Sequence, residues 1–103
     1  MDKILFVVVT YSDDKSVLVA IADELMQIGI PSVHLSSVVS WYRWKGKRCS
    51  ADEYKLDVLC SKEMLADVVA VIKKNHNYEV PAIIWNAVNC DDNMYAWGTG
   101  IKF

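Results

Sequence analysis

His76 and Glu79, three positions apart in the run His76-Asn77-Tyr78-Glu79-Val80-Pro81, are the residues of this chain best suited to hold a metal. A neutral imidazole binds Cu(II), Zn(II) or Ni(II), and a carboxylate close by can orient the ring or add an oxygen ligand. One histidine is not a metal site, however, and a loop histidine can equally serve to hold a helix-to-strand turn by hydrogen bonds. A soft second ligand would have to come from Cys60, brought near His76 of the same or a neighbouring chain. Cys60 alternates in phase with Tyr54, Leu56 and Val58, which is the pattern of a buried thiol packing as a small hydrophobe. Cys49 lies on a hairpin arm and Cys90 near the tail, and neither has a base nearby, so nucleophilic catalysis has little support. The pairs Asp52-Glu53 and Asp91-Asp92 read as solvated turns, poor general acids or bases without a pocket.

A second constellation is Ser40-Trp41-Tyr42-Arg43-Trp44-Lys45-Gly46-Lys47-Arg48, in which cations alternate with large aromatics. Such a mixture suits RNA or an anionic ligand. The RNA-recognition module would need aromatics in a Lys/Arg-Gly-Phe-like third strand, and Tyr54-Lys55-Leu56-Asp57-Val58-Leu59 lacks them. The net charge of −2 also provides no basic field toward nucleic acid or an anionic membrane. A clasp between subunits fits better. Several half-buried rings at roughly 25 cal/mol per Å² outweigh a few exposed ion pairs with Asp52 and Glu53. Trp41, Tyr42, Arg43, Trp44 and Lys47 are therefore expected at an interface, with His34, which shares strand parity with Ser32 and Ser36. Gly98-Thr99-Gly100 follows no strand-to-helix signature and is not a phosphate loop.

The elements that must position these groups follow from periodicity. Ile4–Thr10 is a continuous apolar, β-branched run, the pattern of a strand buried on both faces. Ser12-Asp13-Asp14 caps a helix whose stripe is Val17, Leu18, Ile21, Leu25 and Met26, ended by Gly29. Pro31–Trp44 and Lys47–Cys60 read as strands joined at Lys45-Gly46, with glycine supplying the positive φ. Ser61 caps a second helix with Met64, Leu65, Val68, Val69 and Ile72 inward. Pro81 opens a last strand, Ala82–Val88, and Asp91–Trp97 forms a short terminal helix. The order β-α-β-β-α-β is the ferredoxin-like split βαβ, an α+β fold in one domain spanning residues 1–103. Each hairpin arm reaches ~43 Å against ~24 Å for the first helix, so the hairpin outruns its domain and its tip belongs on another subunit. With 53% hydrophobic residues and four tryptophans in 103 positions, an oligomer is expected. No apolar run reaches the ~20 residues of a spanning helix. Met1-Asp2-Lys3 lacks the n-region of a signal peptide. The three cysteines have no C-x-x-C spacing, which favours reduced thiols in the cytoplasm.

Val8-Val9-Thr10, Tyr42-Arg43-Trp44-Lys45-Gly46-Lys47, His76-Asn77-Tyr78-Glu79-Val80-Pro81 and Tyr95-Ala96-Trp97 together resemble the CutA divalent-cation-tolerance family, over about Ile4 to Trp97. The resemblance implies a ferredoxin-like protomer in a tight homotrimer whose hairpins wrap neighbouring subunits, on a plan similar to the PII nitrogen-signalling proteins. It further implies divalent-metal tolerance and copper binding and, in animals, acetylcholinesterase anchoring. The chain departs from the family pattern at several places. Cys60-Ser61-Lys62 stands for a lysine followed by threonines, Asn77 for a proline, Ala82 for a glutamate and Pro31-Ser32-Val33 for Ala-Cys-Val. Val9 replaces the cysteine that some bacterial members carry late in strand one, which weakens a copper role leaning on that thiol.

The resulting expectation is a cytoplasmic, non-enzymatic homotrimer that binds a divalent cation such as copper, or a small signalling ligand, in clefts between subunits. His76 and Cys60 are the candidate metal ligands, and Tyr78, Glu79 and Lys62 line the cleft. No nucleic acid and no membrane insertion are expected. The alternative is a trimeric scaffold that anchors a partner protein without metal. A third, an acylphosphatase-like enzyme, would need an anion-binding loop where Tyr11-Ser12-Asp13-Asp14 is acidic.

Overall fold

The computed structural model describes residues 3–100; Met1 and Asp2, read above for a leader, and the last three positions lie outside them. Strand β1 (Lys3–Ser12) leads into helix α1 (Lys15–Gln27), then β2 (Ser32–Trp44) and β3 (Lys47–Cys60). A 3-10 turn at Lys62–Met64 opens α2 (Leu65–Asn75), followed by β4 (Ile84–Cys90) and α3 (Asp92–Gly98). The sheet runs β2-β3-β1-β4, all neighbours antiparallel, which is the ferredoxin-like α+β arrangement.

Local chemistry sets the element ends. Asp14, rather than Ser12, caps α1: its Oδ1 accepts from the Ser16 N–H at 2.9 Å. At the other end Gly29 takes φ +99°, and the Ile30 N–H returns to the Leu25 carbonyl at 3.0 Å to close the helix. Ser61 stands before the 3-10 turn but makes no side-chain cap bond, so α2 begins three residues later than its sequence suggests. β4 starts at Ile84 instead of Ala82 because its ladder with β1 begins at Val9↔Ile84. Beyond that pair the Asn77–Tyr78 segment takes over the end of β1. The hairpin turn needs positive φ at both central positions, and Lys45 (φ 50°) shares that strain with Gly46 (φ 78°).

One sheet face carries both long helices. Val8, Leu56, Val58 and Cys60 meet Leu18, Ile21, Leu25, Val68 and Ile72 there, all fully buried. Thr10 sits in the same layer with its Oγ1 buried and without a hydrogen-bond partner. Thr10→Val keeps the side-chain shape and removes that orphan hydroxyl, so urea denaturation is expected to show about 1 kcal/mol of added stability. The opposite face is covered only in part, where Gly98 of α3 approaches Leu5; a Cβ at Gly98 would lie 2.6 Å from Leu5 Cδ1.

The β2–β3 ladder runs from Ser32↔Leu59 to Trp44↔Lys47 without a slip in register. β1 pairs with β3 only as far as Ser12↔Tyr54, so Val38–Trp44 and Lys47–Glu53 continue as a two-stranded ribbon. At ~3.3 Å per residue this overhang is about 23 Å, and an isolated two-stranded ribbon is marginal in water. Its side chains remain open, with Trp41 76% exposed. Among the described residues no helix is long and apolar enough to cross a membrane.

Candidate ligand groove at the hairpin base

Three segments converge where β1 ends: Tyr11–Asp14, the β3 residues Glu53 and Lys55, and the loop from α2 to β4. His76 ends α2, with its backbone N–H still bonded to the Ile72 carbonyl at 3.0 Å. Its Nδ1 accepts from the Tyr78 N–H at 3.1 Å, so the ring proton resides on Nε2, which donates to the Tyr11 carbonyl at 2.8 Å. Burial pushes the imidazole pKa below its ordinary 6.5, opposed by the Tyr11 bond and by the charges of Asp13 and Glu53. The neutral ring is thus used on both sides, to hold β1 and to aim Tyr78.

Tyr78 carries the linkage onward. Its hydroxyl donates to Glu53 Oε2 at 2.5 Å and accepts from the Asp13 N–H at 2.7 Å. Burial and the adjacent Glu53 charge raise its pKa far above the ordinary tyrosine value, so it stays a donor. Asn77 completes the knot: Ser12 Oγ donates to its Oδ1 at 2.7 Å, and its amide donates to Asp13 Oδ1 at 3.1 Å. These bonds fix the loop against β1 as one wall of a groove of about 1060 Å³. Tyr11, Glu53, Lys55, Val38 and Ser40 form its floor on the uncovered sheet face, and the ribbon extends it to Tyr42 and Trp44. Glu53 is only 8% exposed although it faces the groove.

The residues singled out from the sequence fall into three places. Tyr78 and Glu79 line the groove, as do Trp41, Tyr42, Arg43 and Trp44. Cys60 and Lys62 do not join them. Cys60 pairs with Phe6 and His76 bonds Tyr11, five positions along the same strand, a separation of about 17 Å. Cys60 is fully buried under the helices of its own chain, and burial pushes its thiol up to about 11. It therefore cannot share an ion with His76 of this or a neighbouring chain, which corrects the paired metal-ligand expectation. Lys62, two residues beyond Cys60, lies exposed at that same far end, away from Tyr78 and Glu79 of its own chain. His34 stands opposite Asp57 on the uncovered face, and Lys47 lies at the exposed tip. Among the described residues no three His, Cys, Asp or Glu side chains are placed to hold a metal ion.

Glu53, Asn77, Ser12 and Tyr11 were not legible as site residues. The signal that could have found Glu53 was strand parity: it falls on the face of Lys55 and Asp57, whereas Asp52 falls on the other.

A ferredoxin-like chain with an overlong β2–β3 hairpin and a groove at the hairpin base is the protein class these features define. The chain belongs to the CutA1 divalent ion tolerance family, whose model matches residues 5–99. No curated protein sequence matches it. Among solved structures it resembles the periplasmic divalent cation tolerance protein CutA of Archaeoglobus fulgidus, with a TM-score of 0.85 at 21% identity over 91% of this chain and 94% of that one. The divalent cation tolerance protein of Thermus thermophilus gives 0.85 at 23% identity over 93% and 96%. CutA1 of Oryza sativa gives 0.83 at 22% identity over 94% and 92%. At these identities the structures speak for the fold.

Proposed function

We propose that this protein is a non-enzymatic homotrimer that binds a small ligand in grooves completed by neighbouring subunits, and that its part in divalent-ion tolerance runs through this groove rather than a resident metal centre. The observation that carries the reading is the groove itself, walled by the His76–Tyr78–Glu53 linkage and open along an aromatic ribbon that the chain does not cover. A trimer would seat the ribbon of one copy on the next. The free cysteines Cys49, Cys60 and Cys90 suit a reducing, cytoplasmic setting.

Copper at His76 would have to displace the Tyr78 N–H from Nδ1 or the Tyr11 carbonyl from Nε2. Titration with Cu(II), Cu(I) and Zn(II) is therefore expected to give the same stoichiometry and affinity for the wild type and His76→Ala. Loss of one equivalent of copper per chain in the variant would restore the metal-centre reading.

A further inference from the structure

Glu53 is only 8% exposed, and its two carboxylate oxygens are used unequally, with Oε1 open to the groove. Oε2 receives the Tyr78 hydroxyl, while no described residue donates to Oε1. The nearest cation along the strand is already engaged: Lys55 Nζ sits 3.6 Å from Asp57 Oδ1, and forms no ion pair with Glu53. Arg43 also lines the groove, but in the β2–β3 register it shares the reverse face of the ribbon with Trp41 and Val39. Glu53 shares its own face with Val38, Ser40, Tyr42 and Trp44. Tyr11 and Tyr78 flank it, and Glu79 adds a second acid at the rim. A nearly buried carboxylate with a spare oxygen calls for a charged donor. Tyrosine rings beside it favour an organic cation over a hydrated metal ion. Four residues separate the Glu53↔Val38 pair from the Tyr42↔Cys49 pair, an uncharged track of about 13 Å through Ser40 and Ala51 leading away from the carboxylate.

We infer that the groove is a site for an elongated organic ammonium ion, its charged head on Glu53 Oε1 between Tyr11 and Tyr78 and its apolar body along Val38, Ser40 and Tyr42. The inference rests on the small-ligand reading above and names the ligand's chemistry. A hard divalent cation is the poorer fit, since it takes about six oxygen ligands and Glu53 offers one free oxygen.

The test uses 4-phenylbutylamine and its neutral counterpart 4-phenylbutanol, titrated calorimetrically into the full chain. The amine is expected to bind and the alcohol to bind at least about tenfold more weakly. Glu53→Gln still accepts from Tyr78 and is expected to erase that preference, whereas Tyr78→Phe frees the second oxygen and should bind the amine as tightly or more so. If Glu53→Gln fails to fold, Val38→Lys sets a competing cation across the ladder and is expected to abolish amine binding. Equal binding of amine and alcohol, or unchanged amine affinity in Glu53→Gln or Val38→Lys, overturns the inference. So does absence of amine binding, which would mark Oε1 as taken by the neighbouring copy. Light scattering on the same samples separates this outcome from failure of the trimer: a trimer that ignores the amine sinks only the ligand class.

Discussion

Light scattering on the purified protein is expected to return about three times the 11.7 kDa of one chain, and the double variant Trp41→Ser, Trp44→Ser, measured as it elutes, to return a single chain mass. The reason lies in the ribbon. Val38–Trp44 and Lys47–Glu53 have no third strand and no helix over them, yet they carry Trp41, Tyr42, Trp44 and Val39 at 41–76% exposure. Covering what remains open of Trp41 removes on the order of 150 Å² from water, a gross gain of about 4 kcal/mol before the cost of ordering. Buried aromatics of this kind each lose about 2 kcal/mol or more of association energy when truncated. The cations Arg43, Lys45, Lys47 and Arg48 add registry and steering more than strength, because exposed ion pairs contribute little. A wild-type mass equal to one chain would remove the clasp.

His76→Ala is expected to destabilise the fold by about 2–3 kcal/mol and to flatten its response to mild acid. The substitution leaves the half-buried Tyr11 carbonyl without its donor and the Tyr78 N–H without its acceptor, at about 1–3 kcal/mol for each buried group left unpaired. The pH effect has a fixed sign. Burial lowers the folded-state pKa of His76 below 6.5, so as pH falls the unfolded chain takes up the proton first. The stability His76 supplies is complete above about 6.5 and is lost as pH drops through the lowered folded value. Protonation of Nδ1 also ends its bond to Tyr78 and releases the groove wall. Urea midpoints measured at pH 8 and pH 5.5 should therefore fall in the wild type and converge in the variant. An equal pH response in both would show that another group titrates in this window.

The contrast between His76 and Cys60 shows what the sequence could and could not convey. Period-2 and period-3.6 patterns placed the strands and the α-helices, though not the 3-10 turn at Lys62–Met64, because these elements are set by neighbours in the chain. The hairpin turn and its overhang were legible for the same reason. Parity also placed Cys60 correctly as a buried thiol. Its distance from His76 was not legible, since that depends on which end of β1 each residue meets. Lys62, two residues beyond Cys60, lies with it at the far end of the sheet, remote from Tyr78 of its own chain, and the sequence did not show that separation either. Glu53 was hidden by Asp52, an identical kind of charge one position away. Only the register, with Val38 opposite one and Val39 opposite the other, and a tyrosine 25 residues downstream distinguish them.

The unbroken β2 ladder has a consequence for handling the protein when it is dilute. Its outer edge offers thirteen residues in one register, with no proline, no bulge and a single permanent charge, Arg43. Natural edge strands are normally protected by one or more of these devices. The proposed trimer would have to cover that edge, whereas a separated chain presents it as a template for open-ended strand addition. Dissociation below the assembly concentration is therefore expected to feed insoluble β-aggregates on standing rather than a lasting pool of monomer, and the same edge becomes a hazard during synthesis before partners are met.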